Sequence, residues 1–176
     1  MTLSSVPVNV YDVAINVGGN NYAGSGAAVL AVFDPSLGFV TGGGTIVNNG
    51  VHATFGFNVK YKKSGAPQGE LLYIECRPTG SVRLKSTSMQ SLSIVGNTAV
   101  FIGKATLNDV GNHTFRVTII DNGEPGGNDQ FGLRVTAPGG AIIPGLTFDP
   151  KTLSGGNIQV PHLSGNLMVG DSTAFK

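Results

Sequence analysis

Val51-His52-Ala53-Thr54-Phe55-Gly56-Phe57-Asn58-Val59-Lys60-Tyr61 places an apolar or aromatic side chain at every second position over eleven residues. Successive side chains of an extended strand point to opposite faces, whereas on a helix the same residues would scatter around the whole circumference. The stretch is therefore predicted to be a strand with one face in a core, and Val51, Ala53, Phe55, Phe57, Val59 and Tyr61 to be the inward residues. Period two returns at Phe115, Val117 and Ile119, and at Phe131, Leu133 and Val135. Shorter runs fit the same pattern: Leu72-Ile74-Cys76, Val82-Leu84, Leu92-Ile94, and Val100-Ile102 interleaved with Ala99-Phe101.

Turn formers punctuate these runs at Asn48-Asn49-Gly50, Ser64-Gly65-Ala66-Pro67, Pro78-Thr79-Gly80, Gly96-Asn97 and Asp121-Asn122-Gly123. Gly and Asn tolerate the positive φ of tight hairpins, so two hairpins are predicted, about Asn48 to Gly50 and about Gly96-Asn97. No segment of ten or more residues carries helical periodicity with caps. The predicted fold is all-β, a β-sandwich of Ig-like, Greek-key or jelly-roll type with extended N- and C-terminal strands.

Three regions are expected. Residues 1–30 hold N-terminal strands, an assembly arm by this reading, in which Val6-Val8-Val10 and Val13-Ile15-Val17 change phase at Tyr11-Asp12, as a bulge would make them. Residues 31–136 form the body. The continuously apolar Ala27 to Phe33 reads as a central strand. Residues 137–176, broken by Pro138-Gly139-Gly140 and Pro144-Gly145, read as an extended arm of isolated strands. Such strands either fold back on their own domain or complete the sheet of another copy, because an unpaired strand edge is a template for strand addition.

Composition narrows function. The chain has 176 residues, with 11 basic against 10 acidic side chains and a net charge of +1, which supplies no electrostatic drive toward nucleic acid or an anionic membrane. Charged residues make up 12%, against about 25% in ordinary proteins. The surface is thus covered largely by Ser, Thr, Asn, Gln and Gly, as suits secreted or assembled proteins. No window reaches the ~20 apolar residues of a membrane span. The N-terminus lacks the basic and apolar regions of a signal peptide, so the chain is expected to be either cytoplasmic or a secreted or cell-surface protein whose leader is absent. The single cysteine, Cys76, can form no internal disulfide and is expected to be a buried free thiol.

Candidate chemistry is sparse. His52, His113 and His162 lie far apart, without HxH or HExxH spacing, and His52 and His113 are expected to be solvated. No Gly-x-Ser-x-Gly nucleophile motif occurs, and Gly42-Gly43-Gly44 lacks the Lys-Ser/Thr ending of a phosphate loop. Lys60, Lys62 and Lys63 are expected to point outward at a strand end, protecting an edge. The densest set of oxygen ligands is Asp121-Asn122-Gly123-Glu124-Pro125-Gly126-Gly127-Asn128-Asp129. Ca²⁺ takes six to eight hard oxygens from a flexible loop, so Asp121, Glu124 and Asp129 are the candidate calcium ligands. The competing reading is a solvated hairpin loop.

Several stretches carry a family resemblance. They are Phe33-Asp34-Pro35-Ser36-Leu37-Gly38-Phe39-Val40-Thr41-Gly42-Gly43-Gly44, Phe55-Gly56-Phe57-Asn58-Val59-Lys60-Tyr61-Lys62-Lys63, Pro67-Gln68-Gly69, Lys85-Ser86-Thr87-Ser88, Gly103-Lys104-Ala105-Thr106, Asp121-Asn122-Gly123-Glu124-Pro125-Gly126 and Gly155-Gly156-Asn157-Ile158-Gln159-Val160. In order and spacing they resemble the post-choice-of-anchor type of domain, found in secreted bacterial proteins at the end of arrays of immunoglobulin-like repeats. The resemblance implies an extracellular β domain and brings no catalytic activity. The expected function is a non-catalytic structural or adhesive module of the cell surface, self-associating or contacting neighbouring extracellular domains. Filaments would form by donor-strand exchange of the terminal segments. The alternative is a carbohydrate-binding module, against which stand the absence of Trp and the dispersal of Tyr11, Tyr22, Tyr61 and Tyr73.

Overall fold

The computed structural model describes residues 9–19, 23–32, 38–62 and 64–161, and among them every regular element is a strand. The all-β expectation holds. Strands β1 (Asn9–Gly18) and β2 (Ala23–Val32) form a separate two-stranded antiparallel sheet. The other nine are β3 (Phe39–Asn48), β4 (Val51–Tyr61), β5 (Pro67–Arg77), β6 (Gly80–Val95), β7 (Thr98–Leu107), β8 (Val110–Ile120), β9 (Gln130–Thr136), β10 (Ile142–Thr152) and β11 (Gly155–Gln159). They lie in one antiparallel sheet in the order β10-β9-β8-β7-β6-β5-β4-β3-β11. From β3 to β10 chain neighbours are sheet neighbours. The step from β10 to β11 then carries the chain from one edge to the other through only Leu153 and Ser154.

That short link is possible because the sheet curls on itself. Phe55 of β4 stacks on Phe131 of β9, with ring centroids 3.9 Å apart, although four strands separate them in the sheet. Phe57 meets Phe101 at 5.1 Å, and Tyr73 of β5 lies 6.2 Å from Phe131 and 6.3 Å from Phe148 of β10. Asn48 Nδ2 donates to the Gly145 carbonyl across the same interior at 2.9 Å. These rings, with Leu71, Leu84, Leu92, Phe115, Val117, Ile119, Leu133, Leu146 and Ile158, make one continuous core. Each fully buried Leu, Ile, Val or Phe side chain contributes about 1.5–3 kcal/mol.

Strand β4 buries Ala53, Phe55, Phe57 and Val59, half-buries Val51 and Tyr61, and exposes His52, Thr54, Asn58 and Lys60. Asn49 and Gly50 adopt positive φ in the β3–β4 hairpin, as does Gly96 in the β6–β7 hairpin. Both hairpins lie where turn chemistry placed them.

Expectations about four parts of the chain are corrected. In β5 the inward residues are Leu71, Tyr73 and Glu75, so Leu72 and Cys76 face outward and the thiol is exposed. The alternation Leu72-Ile74-Cys76 misled because the interior accepts a charge: Glu75 is buried with Arg77 Nη2 3.0 Å from its carboxylate and the Tyr73 hydroxyl at 3.4 Å. Burial and the Glu75 charge push the Tyr73 pKa well up. Second, β1 runs in unbroken register with β2 through Tyr11↔Leu30 and Asp12↔Val29, so no bulge interrupts it, and among the described strands β2 pairs with β1 alone rather than lying centrally. Third, Lys60 is on a strand flanked by β3 and β5, opposite Phe39 and Gln68, and protects no edge. Fourth, over its described part the C-terminal segment is not an extended arm: of the two alternatives for its strands the fold-back one is seen, since β10 pairs with β9 and β11 with β3. Each satisfies backbone groups that an edge would otherwise leave to water. The parts of the predicted arms before residue 9 and after residue 161, and His162 and Lys63, lie outside the described residues.

Candidate functional site: an acidic loop that grips the last strand

The β8–β9 loop, residues 121–129, and β11 come together beside β3, and two glycine runs explain how. A Cβ on Gly44 would stand 2.4 Å from the Gly155 carbonyl oxygen, and one on Gly156, at φ +118°, 2.2 Å from that of Gly43. Side chains at those points would push β11 off the sheet. Gly42-Gly43-Gly44 thus serves backbone-to-backbone approach rather than phosphate binding.

The loop carboxylates meet the strand end-on. Asp129, fully buried, accepts from the Asn122 and Ile158 amides, both at 2.8 Å. Asp121 accepts from Gly123 N and Val160 N, both at 2.9 Å. Each aspartate therefore gives one oxygen to its own loop and one to the far segment, Asp129 to Ile158 within β11 and Asp121 to Val160 just after it. Backbone bonds from Leu153 N to Asp129 O, 2.9 Å, and from Ser154 N to Thr45 O, 2.7 Å, fix the β10–β11 link in the same place. Glu124, which follows in the loop before a cis Pro125, is exposed and accepts from Asn157 Nδ2 at 3.0 Å. Charge-assisted bonds of this kind are shorter and roughly twice as strong as neutral ones.

The structure gathers Asp121, Glu124 and Asp129 into one region, each with its carboxylate turned to N–H donors. Among the described residues no group of three or more His, Cys, Asp or Glu side chains is arranged around a common point for a metal ion. His52 is exposed on the outer face of β4, whereas His113 is half-buried against Gly111 with Nδ1 unpartnered. The roles of Glu75 and of the two strand-gripping aspartates went unread, since no local pattern shows which backbone N–H a carboxylate will reach thirty residues away.

Two depressions lie on the surface near these elements. One, of about 320 Å³, is lined by Phe39, Asp121, Glu124, Gln159 and Pro161, with Phe39 half-exposed. The other, of about 460 Å³, opens on the outer face of β8, β9 and β10. The β1–β2 hairpin carries a third feature. Ile15 and Val17 are 48% and 59% exposed, and their cross-strand partners are Gly26 and Gly24, so a flat apolar patch faces water.

No family model, curated protein or solved structure matches the chain.

Proposed function

We propose that the chain is a non-catalytic extracellular structural or adhesive module that works by association, and that the β1–β2 hairpin joins one copy to another. The observation that carries this reading is the hairpin itself. Among the described residues its two ten-residue strands form ladders with no other strand, and Ile15 and Val17 stand in water on one face. A two-stranded hairpin by itself is marginal in water, and its edges, unpaired among the described residues, and its apolar face are both suited to another strand. A second copy offers the same edge and face, which meets the self-complementarity a two-fold interface requires. Exchange through β11 is disfavoured, since it would break the bonds from Ile158 and Val160 to buried carboxylates as well as the β3 ladder. The N-terminal hairpin is thus the donor of choice.

Two supports are independent of the hairpin. The curled sheet is filled by packed rings and aliphatic side chains, and the resemblance to the post-choice-of-anchor type implies a secreted β domain without catalysis. The test is sedimentation velocity of the full chain, of Ile15→Asp/Val17→Asp and of a chain lacking residues 1–32. Self-association lost in both variants with the strand spectrum retained supports the reading; identical oligomers in all three, or a monomer throughout, remove it.

A carbohydrate-binding reading is favoured by one observation, the half-exposed Phe39 beside Glu124 and Gln159. An aromatic face next to an amide and a carboxylate is what a sugar ring stacks on and bonds to. Saturation-transfer NMR with neutral oligosaccharides, against Phe39→Ala, decides it.

A further inference from the structure

One position in β4 is explained neither by its backbone nor by its neighbours. Gly56 stands mid-strand on the outer face, in unbroken register with Gly43 of β3 on one side and Leu72 of β5 on the other. It has no positive φ, and a Cβ there would meet no atom within 4 Å. Glycine inside a strand weakens it, and without a bulge or crowding it marks a place where something else approaches the backbone. Beside it the β5–β6 ladder, which starts at Arg77↔Gly80, stops at Leu72↔Lys85. The next amide, Leu71 N, donates instead to the Ser86 hydroxyl at 2.8 Å. A depression of about 300 Å³ lies there, lined on the outer face by Gly56, Asn58, Glu70, Leu72 and Lys85. Arg83 also borders it but is held by Asp109. Asn58, Glu70 and Lys85 are exposed, and none of them forms an ion pair or a side-chain hydrogen bond with a described residue. Leu72 is 40% exposed on the same face.

We infer that this depression binds a neutral sugar ring, one unit of a glycan. Its two free charges are of opposite sign, so it has no net preference for an ion. Glu70 only accepts hydrogen bonds, Lys85 only donates them and Asn58 does both, and sugar hydroxyls answer all three. Leu72 gives the C–H face of a ring an apolar bed. Gly43 and Gly56 leave a strip without side chains that runs about 10 Å from β3 to Leu72 at ordinary strand spacing, so the ring can lie close to the backbone. The volume is at the lower end of small-ligand clefts, which suits a single ring. The depression shares no lining residue with the one at Phe39. The inference goes beyond the proposed self-association and does not depend on it.

The experiment is titration of the full chain, followed by amide-resonance NMR at constant ionic strength. The probes are the methyl glycosides of glucose, galactose, mannose and N-acetylglucosamine, with β-alanine as a zwitterion and sodium sulfate as an anion. At least one glycoside should give saturable shifts confined to residues 54–58, 70–74 and 83–86, with a dissociation constant on the order of millimolar. β-Alanine and sulfate should give none. Gly56→Val puts a side chain into the open space and suits a strand better than glycine does, so it should abolish binding while melting no lower than wild type. Glu70→Ala and Asn58→Ala remove exposed groups, so they keep the fold and should each weaken binding about fivefold or more. Phe39→Ala should change nothing at these residues. No saturation by any glycoside, shifts scattered over the surface, full affinity in Gly56→Val, or equal shifts with β-alanine or sulfate would each overturn the inference.

Discussion

Replacing Asp129 by asparagine changes one oxygen into an NH₂ group without changing the shape of the side chain. The carboxylate accepts from Asn122 N and Ile158 N, each at 2.8 Å, in a site closed to water. An amide has one acceptor oxygen, so one of the two backbone N–H groups must face another donor. Losing a hydrogen bond to a charged group costs about 1.5–3 kcal/mol, and stranding a buried N–H about 1–3 kcal/mol more. Removing a buried charge recovers part of its desolvation cost, which leaves a net loss of about 3 kcal/mol. For a chain of this size that is a fall in Tm of roughly 6–12 °C. With no tryptophan in the chain, unfolding is best followed by far-ultraviolet circular dichroism in guanidinium. Native-state hydrogen exchange adds the local readout: the amides of Ile158 and Val160 should lose protection before those of β4 to β8 do. The control is Asp109→Asn, which breaks only the exposed pair with Arg83 and should cost about 0–1 kcal/mol. An Asp129→Asn protein within about 0.5 kcal/mol of wild type, or one whose β11 amides stay as protected as the core, would refute the view that buried carboxylates grip the last strand.

Gly44→Ala places a methyl group 2.4 Å from the Gly155 carbonyl oxygen and should destabilise by about 1–3 kcal/mol in guanidinium melts, while Gly56→Ala, which meets open space, should change far less. Stability should fall as pH rises from about 10 to about 12. Burial holds the Tyr61 hydroxyl at about 12, against a smaller lowering by its hydrogen bond with Leu92, and Tyr73 still higher, so the unfolded chain releases protons that the folded one keeps. Tyrosinate absorbance followed alongside circular dichroism checks this, and early ionisation of every tyrosine in folded protein would contradict it. Cys76 should react stoichiometrically with a thiol reagent in native buffer, because it is exposed. Calcium titration separates the two uses of residues 121–129: carboxylates occupied with backbone N–H groups leave Tm unchanged between chelator and millimolar Ca²⁺, whereas a bound ion raises it.

Legibility differed sharply between elements. Strand β4 could be assigned residue by residue because its polar and apolar positions alternate without exception, and period two has one structural meaning. Strand β5 could not, for its buried face includes Glu75 and its exposed face includes Leu72 and Cys76. Burial of a charge depends on a partner, here Arg77, and a hydropathy pattern carries no information about partners. The acidic loop was visible as a cluster of oxygen ligands, but what those oxygens hold was not. Ile158 and Val160 lie 29 and 39 positions further along the chain from the carboxylates that bind them.

Alternation, turn residues and the lack of capped amphipathic runs already determined that the chain is all-β and placed two of its hairpins. These are local properties, written in stereochemistry a few residues wide. Which strands stand at the edges, and where the last strand docks, were decided only by the curl of the sheet. Curl sums small twists over nine strands, and the contacts it creates join residues with no relation along the chain.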